Sequence, residues 1–146
     1  MENCKIVTRL LDGEFLNYSS VIPENWETRI RVNKDVIQNC FERISLISSS
    51  SIEKEKKYPV KVMIDIGKVT ISCTNQTGDA KEEIYVSTEG KNLEAGFNPK
   101  YFLDALRAID DEEVFIDFGT SISPCIIRPV DEGDYIYMIL PIRLKD

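Results

Sequence analysis

The sequence predicts an α+β domain in which two adjacent helices pack on one face of antiparallel sheets, following a repeated β-α-β-β-β pattern. Three observations predict it. Apolar residues recur at helical spacing in two segments and alternate with period two in most of the others. Each helical segment follows an asparagine, Asn33 or Asn98, and the two lie 65 positions apart. At that offset Ile37 falls on Phe102, Cys40 on Ala105, Phe41 on Leu106 and Ile44 on Ile109. Any two amphipathic helices would match this well, so the offset speaks for a shared architecture rather than for common ancestry.

The elements follow in order. Thr28–Val32 reads as a strand with Ile30 and Val32 on one face. Asn33 then offers its side-chain oxygen to the free amides of a first turn. From Lys34 to about Ser48, the residues Val36, Ile37, Cys40, Phe41, Ile44 and Ile47 form one stripe. Ser48–Ser51 and the charged run Glu53–Lys57 carry no stripe and read as a solvated loop. Val60–Ile66 and Val69–Cys73 alternate around a turn at Gly67-Lys68, which makes a hairpin. Thr74–Asp79 is a turn-rich loop, Glu82–Ser87 a further strand, Glu89-Gly90 a turn and Leu93–Phe97 another strand.

The second helix is predicted over Pro99–Ile109. Asn98 caps it, and Pro99 stands in the first turn, where a missing N–H costs nothing. Phe102, Leu103, Leu106 and Ile109 form its stripe, and Asp110-Asp111 ends it. Three strands complete the pattern: Val114–Phe118, Ile122–Arg128 and Tyr135–Ile142.

Residues 1–23 stand outside the repeat. Lys5–Leu11 reads as a strand and Asp12-Gly13 as a turn. Glu14–Pro23 has no helical stripe, yet Phe15, Leu16, Tyr18, Val21 and Ile22 need something to pack against. A strand and a connector do not make a domain. Residues 1–14 are therefore expected to be the last strand of an upstream domain, residues 15–23 a connector, and residues 24–146 the domain itself.

Composition narrows the function. The 146 residues suffice for one core but not for two comfortable domains. Twenty-five acids against eighteen bases give a net charge of -7, which argues against a tight, direct grip on nucleic acid but not against a local basic face. No apolar stretch is long enough to span a membrane, and the first residues do not read as a signal peptide, so a cytosolic setting is expected. Cys4, Cys40, Cys73 and Cys125 form no CxxC pair and histidine is absent, so neither a metal nor any other cofactor is expected. Cys40, Cys73 and Cys125 fall at inward positions and read as small hydrophobes. Catalysis is not expected either: there is no histidine to shuttle protons, no GxSxG elbow, no P-loop and no GxGxxG after a strand.

Two surfaces are candidates for binding. In Tyr137–Leu144, apolar Leu140 and Ile142 flank a proline near an abrupt chain end. Such residues either close a sheet or form an anchor pocket for a short peptide. On the helices, Lys34 and Arg43 join Lys100 and Arg107 in a sparse basic face if the two lie side by side, although Asp35, Glu42 and Asp104 dilute it. They serve either as ordinary polar helix faces or as a loose, salt-sensitive contact with DNA.

Several stretches resemble a known family. Leu11-Asp12-Gly13-Glu14-Phe15, Tyr18 and Val21-Ile22-Pro23 resemble the segment joining the second and third domains of the bacterial sliding clamp, the beta subunit of the replicative DNA polymerase. Gly96–Leu106 is similar to the lead-in and second helix of that family's third domain, and Leu140-Pro141-Ile142-Arg143-Leu144 to its C-terminus. The similarity runs through the chain in the right order. It implies the third, C-terminal DNA-clamp domain of a ring-shaped homodimer that slides on duplex DNA without reading sequence. Such a clamp confers processivity on the replicative polymerase, and it docks peptides of polymerases, clamp loader and repair proteins between its second and third domains. It is bacterial and cytoplasmic.

Carried over by position, this domain's share of the peptide pocket is Leu16, Val21, Asn98, Tyr101, Ile122, Pro124, Met138, Leu140, Pro141, Ile142 and Arg143. The chain departs from the family where Ser19-Ser20 replaces a pair that is basic in some members, and where Leu16 stands in place of a common proline. The resemblance also puts Leu46, Ile47, Glu82 and Glu83 at the dimer joint, although Leu46 and Ile47 could instead be core, a reading that the helical stripe supports for Ile47 more than for Leu46. Without its partner domain a fragment is expected to be mainly monomeric or to pair weakly and non-natively. The rival reading is a self-contained peptide-binding scaffold unrelated to replication.

Overall fold

The computed structural model describes residues 5–49, 58–131 and 133–144. Twelve elements follow one another: β1 (Thr28–Asn33), α1 (Lys34–Ser49), β2 (Val60–Asp65), β3 (Lys68–Asn75), β4 (Gly78–Tyr85), β5 (Ser87–Gly90), β6 (Leu93–Phe97), α2 (Pro99–Arg107), β7 (Glu113–Phe118), β8 (Cys125–Pro129), β9 (Tyr137–Ile139) and β10 (Pro141–Ile142). They build two five-stranded antiparallel sheets, ordered β5-β1-β7-β8-β9 and β10-β6-β2-β3-β4. The α+β architecture expected from the sequence is the one observed.

The repeat is present in a fuller form than the sequence indicated. Advancing each label of the first sheet by five positions, cyclically through ten, gives the second. Each half holds five strands, not four, and each sheet draws on both halves. The difference comes from two interrupted strands. Glu82–Ser87 divides into β4 and β5 at Val86, and Tyr135–Ile142 divides into β9 and β10 at Leu140. At each break the chain leaves one sheet for the other. Pro141 follows the second break, and without an N–H it cannot donate to a ladder on that side.

Smaller corrections have local causes. Thr74–Asp79 is no loop but the tip of the β3–β4 hairpin, because Asn75 Oδ1 accepts from the N–H groups of Thr77 (2.7 Å) and Gly78 (3.1 Å). Glu89 and Gly90 lie inside β5 rather than in a turn, paired with Arg29 and Thr28. The β2–β3 turn is Ile66-Gly67, where Gly67 takes a φ of 74° that a side chain would resist. β8 begins at Cys125 rather than at Ile122, because Thr120–Ser123 forms a turn closed by the Ser123 N–H on the Thr120 carbonyl. α2 ends at Arg107, and Ile109 remains buried just beyond it.

Both helix starts form as the sequence predicts. The Val36 N–H donates to Asn33 Oδ1 at 3.1 Å, and the Lys100 N–H donates to Asn98 Oδ1 at 3.1 Å. The helices pack against each other through Phe41 and Phe102, whose rings stack 4.4 Å apart. Phe97 meets Phe102 edge-on, and one cluster joins both helices to the inward faces of both sheets. Cys40, Cys73 and Cys125 are free and lie in that cluster. Desolvation raises all three thiols, Cys40 to about 11.

Lys5–Leu11 forms no strand here. Ile6, Val7, Leu10, Leu11, Phe15 and Leu16 are all exposed. A strand exists only with a hydrogen-bonding partner, and no described residue pairs with this segment. The connector gains order at Tyr18–Ser20, a single 3-10 turn. No helix among the described residues is long and apolar enough to cross a membrane. Cys4 and most of the expected Ser48–Lys57 loop lie outside the described residues.

Candidate functional site: the β9–β10 crossing and the helix face

Where the chain crosses between sheets at Leu140, two depressions form. Tyr101, Asp104 and Ala105 of α2 and Tyr137, Met138 and Ile139 of β9 line one of about 290 Å³. Glu94, Ala95 and Gly96 of β6, Ser121 and Ile122 of a loop, and Ile142, Arg143 and Leu144 line another of about 320 Å³. Leu140 and Pro141 are the chain between them, and Leu140 is 60% exposed. The C-terminal segment is held close to β6: Pro141 pairs with Phe97 and Ile142 with Gly96. A β-carbon at Gly96 would lie 2.6 Å from the Ile142 carbonyl oxygen and 2.7 Å from Leu144 Cδ2. Only glycine admits that approach.

The expected pocket residues therefore fall into groups. Tyr101 and Met138 share the first depression, while Ile122, Ile142 and Arg143 share the second. Pro124 instead lines a narrow cleft with Pro23 and Trp26. Asn98 caps α2 one turn before Tyr101. Leu16 and Val21 are exposed and line none of these three. Sequence reasoning missed Asp104, Ala105, Tyr137 and Ile139 as lining residues of the first depression and Glu94, Ala95, Gly96, Ser121 and Leu144 of the second. Ala105 had a signal, four residues from Tyr101 on the same helix face.

A larger depression, about 500 Å³, lies among Arg31, Asn33, Asp111, Glu112, Glu113, Pro129, Val130 and Asp131. Its walls are mostly charged, so it offers little to an apolar anchor despite its size. No group of His, Cys, Asp or Glu among the described residues could hold a metal ion.

On the helices each expected basic residue has an acidic partner. Lys34 pairs with Asp35 at 2.9 Å, Lys100 with Asp104 at 3.3 Å and Arg107 with Glu42 at 3.0 Å, while Arg43 grips Glu82. These hydrogen bonds lower the carboxyl pKa of Glu42 and Glu82, from Arg107 and Arg43 respectively. The face is thus less basic than its four cations promise. Exposed pairs of this kind are weak, so a phosphate can compete for the cation. Leu46 is 68% exposed at the end of α1, whereas Ile47 packs partly on the core. Glu82 and Glu83 lie on β4, an outermost strand of its sheet, and Lys81 and Lys68 lower the Glu83 carboxyl.

Residues 19–143 match the family model described as the DNA polymerase III beta subunit, C-terminal domain. The chain belongs to this family. It is 33% identical over 143 residues to a beta sliding clamp of Staphylococcus epidermidis, a match spanning 97% of this chain and 37% of that relative. A beta sliding clamp of Staphylococcus aureus is 31% identical over the same length and shares. Among solved structures, a putative DNA polymerase III beta subunit from Eubacterium rectale superposes with a TM-score of 0.85 at 35% identity, over 94% of this chain and 36% of that one. The beta subunit from Thermotoga maritima matches at 0.85 and 34% over the same shares. The chain thus spans just over a third of the length of its sliding-clamp relatives. Its kinship is with beta sliding clamps rather than with an unrelated scaffold.

Proposed function

We propose that this chain serves as the third, C-terminal domain of a bacterial, cytoplasmic sliding clamp, and that the Leu140 crossing docks short peptides. In this reading residues 1–14 belong to the last strand of an upstream domain, residues 15–23 are the connector and residues 24–146 are the clamp domain. The full clamp is a homodimeric ring that encircles duplex DNA, tethers the replicative polymerase and recruits clamp loader and repair proteins. The observation that carries the reading is the exposed apolar set at the β9–β10 break, in a chain of the sliding-clamp family. Tyr101, Met138, Leu140, Ile142 and Ile122 stay exposed around the two depressions, and Arg143 is exposed at the rim of one. Asn98 holds α2 in place and Pro141 fixes the crossing, while Pro124 in the neighbouring cleft and the exposed Leu16 and Val21 of the connector lie outside both depressions and are assigned to the pocket by position in the family.

Each leucine or phenylalanine anchor contributes about 1.5–3 kcal/mol, so two anchors and some backbone bonds give at most about micromolar binding. The test is calorimetric titration of a short Gln-Leu-x-Leu-Phe peptide against the unaltered protein and a Leu140→Ala/Ile142→Ala variant. Loss of binding in the variant is expected, and equal binding would place the site elsewhere. Lys34, Arg43, Lys100 and Arg107 face the duplex in this reading, and Leu46, Ile47, Glu82 and Glu83 meet the other subunit. A full-length clamp is expected to stay on circular DNA and to slide off once it is linearised. Equal loss from both forms would favour a peptide-binding scaffold.

A further inference from the structure

We infer that Trp26, Arg29, Asp117 and Arg128 form a clasp that positions the connector against the peptide-binding wall, an inference that rests on the docking reading above. The Asp117 carboxylate is 4% exposed and holds Arg29 in two hydrogen bonds, at 2.5 and 2.8 Å. Arg128 Nε approaches the same carboxylate at 3.0 Å. Held this way, the Arg29 guanidinium lies 4.6 Å from the ring centroid of Trp26 and 4.6 Å from that of Phe115. A cation fixed on a buried carboxylate and laid over an aromatic ring is a directional fastener. It ties Trp26, three residues past the end of the connector, to the outward face of the first sheet.

The fastened segment reaches the candidate site by two routes. Pro23–Trp26 closes one side of the narrow cleft whose other side includes Pro124 and Ile126. Across the sheet, Arg29 pairs in register with Asp117, Asp117 with Ile126, and Ile126 with Met138. Residues directly opposite on neighbouring strands share a face and touch. One continuous row therefore runs from the clasp to a lining residue of the first depression. Ile126 is buried although it points away from the core cluster, in the cleft that the connector lines. Loosening Trp26 would uncover Ile126 and free the wall beside Met138 and Pro124.

Trp26 is the chain's one tryptophan, so its emission reports on the clasp directly. The test titrates the Gln-Leu-x-Leu-Phe peptide into this chain, reading calorimetric affinity and Trp26 emission together. Emission is expected to shift and to saturate with the calorimetric curve. Trp26→Ala is expected to weaken peptide binding about fivefold with its cooperative melt retained, and Trp26→Phe to restore most of the affinity. Should Trp26→Ala fail to fold, Arg29→Lys takes its place, because lysine keeps the charge but loses the fork and the stacking surface. Wild-type affinity in whichever variant folds, or emission blind to bound peptide, overturns the clasp. A Leu140→Ala/Ile142→Ala variant separates the two readings. If that variant binds like the unaltered chain, the docking reading itself has failed.

Discussion

At Gly96 and Phe102 single side chains decide whether the site and the core exist. Gly96 leaves just enough room for the Ile142 carbonyl and Leu144, so Gly96→Val has to push the C-terminal segment off β6. We expect peptide binding to be lost while α1 and α2 keep their amide exchange protection, measured by hydrogen exchange. Phe102 touches both Phe41 and Phe97 and is buried, so Phe102→Ala removes a ring that packs on α1 and on β6 at once. A loss of about 3–5 kcal/mol in denaturant unfolding is the expected outcome. Phe102 was readable from its stripe position. The demand on Gly96 was not, since period and propensity say nothing of which distant backbone will approach a residue. The acidic partners of Lys34, Arg43, Lys100 and Arg107 were half readable. Asp35, Glu42 and Asp104 lie on the helices themselves, whereas Glu82 reaches Arg43 from β4, 39 positions away.

Among the elements, the helix starts were the most legible, since a cap depends on a few adjacent residues. Asn98→Ala is expected to cost about 1 kcal/mol of stability, measured by thermal or denaturant melting. The two strand breaks were illegible because Val86 and Leu140 fit the apolar alternation on both sides. What divides those strands is a change of sheet, which is a property of the whole fold. The α1–β4 joint carries a pH dependence. Arg43 lowers the Glu82 carboxyl below its ordinary value of 4.5, so the folded state binds that proton less readily than the unfolded chain. The pair's stabilisation is therefore complete above about pH 4.5 and fades as pH falls through the lowered value. Glu82→Gln is expected to flatten the fall in melting temperature between about pH 5 and 3, with a small amplitude because the pair is partly exposed.

For the whole molecule, the pattern of two helices over shared sheets followed from periodicity, whereas the fate of residues 5–17 did not. Their apolar side chains lie exposed, because no described residue packs over them. The proposed ring makes assembly measurable. Replacing Leu46 and Ile47 by alanine in a full-length clamp is expected to shift dimers to monomers in analytical ultracentrifugation, and an unchanged dimer would remove those residues from the joint.

The exchange of strands between halves has a consequence for how the domain acquires its structure. β1 pairs with β7 and β2 with β6, so each sheet is joined through its interior by one ladder between chain from opposite sides of the midpoint. Neither half owns a complete sheet. A polypeptide severed between Gly90 and Leu93 would yield two pieces, each with an open inner edge and half of the Phe41–Phe102 contact. Such pieces would remain unstructured apart and would fold on mixing, each acting as template for the other, much as two interlaced hands hold only together.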